Sequence, residues 1–374
     1  MSTPKAAGAV LLLTLTFFTL PVHSQTTKAP VAIAGSYVGD ILSNLHGGIK
    51  TGSCYLGMAS ITIDYEPEEG QWLSGGHFFL RGASTHGAHP SQSFIGDFQV
   101  ASNIEAGNHT YIQELWYSQR LGDVSVIAGL QDLNVHFAGN EYSALYLNSS
   151  FGIHPTISSN VTAPIFPLTS VGLSIIWNLS ESFAFKAAVF DGSPIDFSDN
   201  PHNLKWRFNA GDGVFAVTEA RLTSGIGTAK LGVYHHNHHE HLSDADVINE
   251  TNYGIYGTFD RMLSGKPGEA GSVAAFVRAS LSPRARNDNY WFAGAGVNLY
   301  GLMHEDGSDV LGLACAHAGL DTREDETAIE LTYQLPLSGA VTLQPDIQYI
   351  FHPEGTEARL PDSVTGTVRV AVNF

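Results

Sequence analysis

Hydrophobic and polar residues alternate along short segments through most of the chain. In "FFLRGAS", Phe78 and Leu80 occupy one side and Phe79 and Arg81 the other. The same period of two recurs in segments 123–130, 170–180, 182–190, 328–335, 342–350 and 367–374. Because successive side chains of a β-strand point to opposite faces, this pattern predicts many two-faced strands.

The last segment, "TVRVAVNF", raises the question of what the apolar faces contact. Its apolar side carries Val368, Val370, Val372 and Phe374, and its polar side carries Arg369 and Asn373. Only 14% of the chain is charged, against about a quarter in a typical soluble domain. Since cores rarely contain charge, the shortage lies on the surface. We therefore predict that the apolar faces contact lipid and that Arg369 and Asn373 face a wet lumen.

The connections between the strand-like segments are of two kinds. Segments 178–183 and 335–341 are tight turns, whereas 189–213 and 235–251 are long and polar. Short turns at one end and long loops at the other are typical of outer-membrane proteins. The sequence predicts an all-β fold, a transmembrane antiparallel β-barrel of about 16 strands with short periplasmic turns and long outer loops.

The amino terminus has the features of an export signal. "MSTPK" is a short basic region, an apolar stretch follows, and compact residues precede Gln25. We expect a signal peptide at 1–24, cleaved after Ser24, and a barrel domain at 25–374. After residue 24 the chain has no apolar run of about 18 residues, the length that a membrane-spanning helix needs.

Charge and motif content exclude several classes of function. The formal net charge is −18, so binding to nucleic acid is not expected. Two cysteines, Cys54 and Cys315, are too few for a disulfide framework, and we predict packed thiols. No G-x-S-x-G or phosphate-binding motif occurs, so we expect no cofactor and no enzymatic activity.

Five residues are candidates for lining a constriction. Alternation places Arg81, Glu114 and Trp116 on inward faces, and Asp97 and Glu105 lie in a segment that could fold into the lumen. Charged groups offer strong hydrogen bonds to sugar hydroxyls, and aromatic rings offer flat surfaces. Two alternatives stay open. The charges could form ion pairs that stiffen the wall, and a one-residue register slip would move Trp116 to the lipid face.

A histidine-rich segment is a weaker candidate for metal binding. It contains His235, His236, His238, His239 and His241. Imidazoles are common ligands of zinc and copper, but the spacing matches no established zinc pattern. We therefore expect a solvated outer loop and no specific metal site.

Longer stretches of the chain resemble the carbohydrate-selective outer-membrane porins of the OprB type. The matching stretches are 37–57, 75–106, 111–134, 145–158, 188–194, 309–320, 326–334 and 343–353. The resemblance implies a monomeric 16-stranded pore in the bacterial outer membrane that admits monosaccharides and related small polar solutes by diffusion. It also implies contact with outer-membrane lipid and lipopolysaccharide, and recognition of Phe374 by the barrel-assembly machinery. The histidine-rich loop and Cys54, placed within the first strand, depart from the family pattern.

Three other functions remain open from the sequence. The excess of acidic residues suits a general cation-preferring porin. A barrel-embedded hydrolase would need a Ser–His pair on the lipid face, for which His109 and His136 are the only histidines near suitable strands. A soluble exported binding protein or lectin is the third alternative, and it would stay in solution without detergent.

Overall fold

A computed structural model describes residues 31–68, 70, 73–207, 213–241 and 247–374, with only the backbone of 238–241 and 247–250. Over these residues the fold is almost entirely β. The strands are β1 Val31–His46, β2 Gly52–Tyr65, β3 Gly76–Gly87, β4 His109–Leu121, β5 Val124–Gln131, β6 Ser170–Asn178, β7 Phe183–Asp191, β8 Val214–Ser224, β9 Gly227–His241, β10 Val247–Ser264, β11 Val273–Leu281, β12 Asn289–Tyr300, β13 Val310–Leu320, β14 Glu326–Pro336, β15 Val341–Phe351 and β16 Ser363–Asn373.

The strands form one closed antiparallel barrel. Each strand pairs with its neighbours in sequence, and β16 returns to pair with β1. The closing register runs from Ser36 opposite Asn373 to Asn44 opposite Thr365, and it shifts before His46 opposite Val364. The predicted transmembrane barrel of about 16 strands is confirmed.

The two ends of the barrel differ as predicted. One end carries short turns such as 122–123, 179–182 and 225–226, and the other carries the connections 88–108, 132–169 and 192–213. By this asymmetry the end with short turns is periplasmic. The long connections contain a π-helix Ser91–Ile95, α1 Leu133–His136, 3₁₀ turns Tyr142–Leu145 and Ser149–Phe151, and α2 Pro155–Ser158. No helix in the described ranges has the length and apolar character needed to cross a membrane.

The outer face of the barrel is apolar, as the alternation predicted. Leu173, Ile175 and Trp177 are exposed at successive outward positions of β6, and Val368 and Val370 are exposed on β16. Isolated exposed side chains would be ordinary, but a continuous apolar belt around a barrel is the surface that hydrocarbon requires. The apolar faces of the strands therefore point to lipid.

Aromatic side chains mark the periplasmic end of this belt. Tyr65, Phe78 and Tyr117 are cross-strand neighbours on β2, β3 and β4. The ring centroids of Phe78 and Tyr117 lie 4.5 Å apart, and those of Tyr65 and Phe78 lie 6.0 Å apart. Such rings suit the boundary between acyl chains and headgroups.

The interior is drier than the sequence suggested. Two connections fold into the barrel, and we name them the first inserted loop (88–108) and the second inserted loop (132–169). Phe137 and Ile157 of the second inserted loop pack against Phe190 and Phe215 of the wall. In the described part of the chain, much of the inward face therefore contacts protein, because the apolar residues of these loops need a partner surface.

Arg369 shows what this means for a predicted lumen residue. It points inward as expected, but it is buried against Asp40 and Asn103 and does not face water. The prediction of its direction is confirmed, and the prediction of its wet surroundings is wrong because the first inserted loop covers it.

The histidine-rich segment is not the loop that the sequence predicted. Strand β9 runs through His241 and pairs with β10 from His241 opposite Val247. His235 is exposed, whereas the Nε2 atom of buried His236 lies 2.8 Å from the carbonyl oxygen of Gly192. The side chains of His238, His239 and His241 lie outside the described residues. Adjacent residues of a strand face opposite sides, so His235 and His236 do not share one site.

Both cysteines are free thiols on strands, as predicted. Cys54 lies in β2, and not in the first strand as the sequence suggested, because β1 ends at His46. Cys315 is exposed on β13, so the prediction of a packed thiol is wrong for this residue.

Candidate functional site

The inward face of β3 supplies the first part of the candidate site. His77, Phe79 and Arg81 alternate along β3, opposite β4. The register places Phe79 against Trp116 and Arg81 against Glu114, and a bulge follows at the next step. Such bulges re-aim a side chain at a functional wall. Three of the five predicted residues, Arg81, Glu114 and Trp116, therefore meet on two neighbouring strands.

These residues form one compact cluster. A nitrogen of the Arg81 guanidinium lies 3.3 Å from Oε2 of Glu114, and Trp116 Nε1 donates to Glu114 Oε1 at 3.2 Å. The rings of Phe79 and Trp116 stack with centroids 5.0 Å apart and planes 24° apart. The Arg81 guanidinium lies 5.5 Å from the Phe79 centroid. Trp116 thus faces inward, and the alternative position in the lipid belt is not the one observed.

Arg81 is the accessible polar group of the cluster. The side chain of Arg81 is 20% exposed, whereas that of Glu114 is 2% exposed. Among the described residues, Arg81 Nε is buried without a hydrogen-bond partner. The carboxylate therefore orients the guanidinium through one terminal nitrogen, and most of the five N–H donors of Arg81 are not used by Glu114.

Asp97 and Glu105 form a second, separate group in the first inserted loop. Ser91 Oγ donates to Glu105 Oε2 at 2.9 Å, and His89 Nδ1 lies 3.8 Å from Glu105 Oε1. Burial raises the pKa of Asp97 to about 6. Burial and the charge of Asp97 raise the pKa of Glu105 to about 7. Within the described residues, no ion pair joins either acid to Arg81.

Wall carboxylates hold the inserted loops through backbone amides. Glu326 on β14 accepts from the backbone nitrogens of Phe98 and Gln99 at 2.7 and 2.9 Å. Four residues further along the same face of β14, Glu330 accepts from the backbone nitrogens of Leu147 and Asn148 at 2.6 and 3.0 Å. Each carboxylate satisfies two donors that would otherwise be buried without a partner, which strongly fixes the loop.

Wall cations hold the second inserted loop through its carbonyl oxygens. Lys186 donates to the His136 carbonyl oxygen, and Lys230 Nζ donates to that of Gly139 at 2.6 Å. Arg278 donates to the carbonyl oxygen of Phe151. The inward charges of the strands thus position the loops that narrow the lumen. Sequence reasoning missed Lys230, Arg278, Glu326 and Glu330 because their partners are distant in the chain.

Comparison with known proteins places this architecture in a family. The family model described as "Carbohydrate-selective porin, OprB family" matches residues 50–374. The high-pH structure of Pseudomonas putida OprB has a TM-score of 0.78 and 16% identity, covering 92% of this chain and 94% of that chain. The low-pH structure of the same protein has a TM-score of 0.59 and 14% identity, with 92% and 93% coverage.

A more distant porin shares the fold. OmpT of Vibrio cholerae, solved in a trimer form, has a TM-score of 0.54 and 10% identity, covering 92% of this chain and 99% of that chain. No significant match was found among curated protein sequences. The family match spans most of the chain, and the barrel with its inserted loops agrees with it. The chain belongs to the OprB family of carbohydrate-selective porins and is a β-barrel porin of the bacterial outer membrane.

Proposed function

We propose that monosaccharides and similar small polar solutes diffuse passively past Arg81, beside the stacked rings of Phe79 and Trp116. The observation that carries this proposal is the combination of an accessible guanidinium with an aromatic stack on neighbouring inward positions. A pyranose has polar hydroxyls at its edge and apolar C–H groups on its faces. It can therefore bond to Arg81 and contact the half-buried ring of Phe79 in one pose, while the buried ring of Trp116 supports Phe79 from behind.

The contact must be weak for transport to occur. A pore conducts only when a solute enters favourably and also leaves readily. Glu114 satisfies part of the Arg81 guanidinium at 3.3 Å, so a sugar competes with an internal partner. Asp97 and Glu105 are proposed to act from the first inserted loop, by setting how far that loop extends into the lumen.

Liposome swelling tests the role of Arg81. Glucose, arabinose, glycerol and a disaccharide are compared for the wild type, Arg81→Ala and Arg81→Lys. We expect Arg81→Ala to change the monosaccharide rates several-fold relative to glycerol, with Arg81→Lys intermediate. The matched control is Arg284→Ala, since Arg284 pairs with Asp321 outside the barrel strands. Unchanged relative rates in Arg81→Ala would refute the assignment.

The comparisons support neither a general cation-preferring porin nor a hydrolase as the family function. We propose that the chain has no catalytic activity. In support, His136 lies in the second inserted loop, and the ring of His109 stacks on that of Phe197 with centroids 4.1 Å apart. Neither histidine therefore takes the lipid-facing position that a barrel-embedded hydrolase needs. A lipase assay on detergent-purified protein tests this, and turnover that persists in purified protein would contradict it.

We also propose that residues 1–24 are a signal peptide and that 25–374 form the mature barrel. We propose further that the pore is a monomer in contact with lipopolysaccharide. Finally, we propose that the barrel-assembly machinery recognises Phe374. Phe374 is 80% exposed. Its backbone exchanges two hydrogen bonds with Gly35, at 2.7 and 3.0 Å. The aromatic group is thus fixed at the barrel seam but available to a partner. Deletion of Phe374 should reduce the barrel in outer-membrane fractions, and sedimentation in detergent tests the monomer.

A further inference from the structure

Three side chains at the periplasmic ends of β2 and β3 bring metal-ligating atoms together. Ligand atoms of Asp64, Glu66 and His77 all lie within 4.8 Å of one another. His77 Nε2 lies 2.6 Å from Asp64 Oδ1. We propose that these residues form a binding site for a divalent transition-metal ion such as Zn²⁺. This proposal goes beyond solute diffusion and does not depend on it.

The barrel register creates this arrangement. Asp64 is opposite Phe79 in the β2–β3 ladder, and His77 lies two residues before Phe79 on the same inward face. Such diagonal neighbours are close enough for long side chains to meet. Glu66 follows directly after the end of β2. No sequence motif links residues 64 and 77, so spacing rules could not have identified the site.

The histidine is held in place from the lumen side. The His77 ring meets Trp116 edge-on, with centroids 4.9 Å apart and planes 78° apart. Its side chain is 14% exposed, whereas that of Asp64 is 38% exposed. One ligand is therefore fixed by packing, and the carboxylate side stays open to solvent. A fixed imidazole beside an accessible carboxylate loses little entropy when an ion arrives.

The donor set selects the class of ion. An imidazole nitrogen and carboxylate oxygens are both ligands of Zn²⁺, and open zinc sites have three protein ligands with water in the remaining position. An imidazole favours first-row transition metals over Mg²⁺ and Ca²⁺, which prefer oxygen ligands. The formal net charge of −18 also favours cations near the chain.

The alternative is that His77 and Asp64 simply share a proton in a hydrogen bond. The two models differ in a measurable way, because only a metal site gives saturable Zn²⁺ binding that depends on both side chains. Through His77 and Trp116, the site also adjoins the aromatic stack beside Arg81. A bound ion would add positive charge at the periplasmic mouth and lower the passage of cations.

Isothermal titration calorimetry of the full-length protein in detergent, with Zn²⁺ as the only ligand, measures the affinity for the ion and so tests the proposal. The variants are His77→Gln and Asp64→Asn. The matched control is His86→Gln, because His86 is an exposed residue of the same strand that contacts Tyr37 on the outer face. We expect one saturable site in the wild type and in His86→Gln. We expect affinity at that site to fall at least tenfold in each of the other two variants.

Several results would overturn the proposal. Absence of saturable Zn²⁺ binding by the wild type would do so. Wild-type affinity in both His77→Gln and Asp64→Asn would do so as well, because it would assign the binding to the histidine-rich strand. Far-UV circular dichroism establishes whether each variant is folded. If His77→Gln does not fold, the affinity of Asp64→Asn for Zn²⁺ decides the test. The reversal potential of the pore current in a salt gradient provides a second readout, because it reports ion selectivity. Zn²⁺ should reduce cation preference in the wild type and in His86→Gln but not in Asp64→Asn, and an equal effect in Asp64→Asn would count against the site.

Discussion

Arg369 of the last strand and Asp40 of the first strand form a bidentate ion pair across the seam of the barrel. Arg369 Nε donates to Asp40 Oδ1 at 2.7 Å, and its terminal nitrogen donates to Oδ2 at 2.8 Å. Ser102 and Asn103 of the first inserted loop bond to the same pair. One buried contact thus joins the closure of the barrel to the seating of a loop.

Removing one partner of this pair should strongly destabilise the barrel. Arg369→Met leaves Asp40 buried and uncompensated, which costs about 3–5 kcal/mol in comparable cases. The free energy of unfolding is measured from the fraction of protein that runs as the folded band in electrophoresis at increasing urea concentration. The double variant Arg369→Met with Asp40→Leu should recover much of the loss. Arg284→Ala, which breaks an exposed pair, should change little. Equal stability of Arg369→Met and the wild type would contradict this account.

Loosening one loop anchor should change the conductance. Glu330→Gln keeps the shape of the side chain but replaces one of the two oxygens that accept backbone amides with an NH2 group, which cannot accept. A buried donor left without an acceptor costs about 1–3 kcal/mol. We expect a larger or more variable single-channel conductance because the second inserted loop is held less firmly.

The control for this prediction is Glu357→Gln, since Glu357 is an exposed residue of an outer connection. Planar bilayer recordings compare both variants with the wild type. If the two variants give the same stable conductance as the wild type, Glu330 does not control the loop position.

The seating of the first inserted loop should depend on pH. Burial and Asp97 raise the pKa of Glu105 from 4.5 to about 7. A carboxyl with a raised folded-state pKa binds its proton better in the folded state, so its contribution favours the folded loop below about pH 4.5. That contribution is lost as the pH rises to about 7. Hydrogen exchange of residues 91–105 should therefore be slower at pH 5 than at pH 8, after correction for intrinsic rates.

Glu105→Gln should reduce this pH difference, because the amide does not titrate. Glu357→Gln should leave it unchanged. The same pH dependence in Glu105→Gln as in the wild type would show that another group controls the loop.

The aromatic stack should matter more for sugars than for ions. Trp116 is buried and supports the ring of Phe79. Trp116→Leu removes that support, so a sugar loses the fixed flat surface of Phe79, while a small ion loses little. We expect slower monosaccharide swelling of liposomes with an unchanged or increased KCl conductance. Trp177→Leu is the matched control, since Trp177 faces lipid on β6. A parallel loss of both fluxes in Trp116→Leu would indicate a collapsed lumen.

The barrel and its lipid face could be predicted from sequence because both depend on local alternation. Val368, Val370 and Phe374 are exposed as their period of two required. The prediction for the histidine-rich segment was wrong because polar residues can extend a strand when the neighbouring strand is extended by the same length. Strand β10 extends in this way beside β9. Composition alone does not separate such a hairpin from a loop.

The dry interior could not be predicted for a different reason. Glu330 reads as an ordinary inward polar residue, and its partners Leu147 and Asn148 lie more than 180 positions earlier. Their contribution comes from backbone amides, which every residue except proline carries. The candidate site was partly predictable: alternation identified Arg81, Glu114 and Trp116. The grouping of Asp97 with Glu105, away from Arg81, depends on how a loop folds.

The pairing of Ser36 with Asn373 also constrains the order of folding. These residues are separated by nearly the whole polypeptide, so this ladder forms only after synthesis and export of the final strand. Until then, two strands present unpaired amides and carbonyls that a bilayer does not tolerate. Closure of the barrel therefore requires the complete chain, and a fragment that lacks β16 leaves one edge of β1 without a partner.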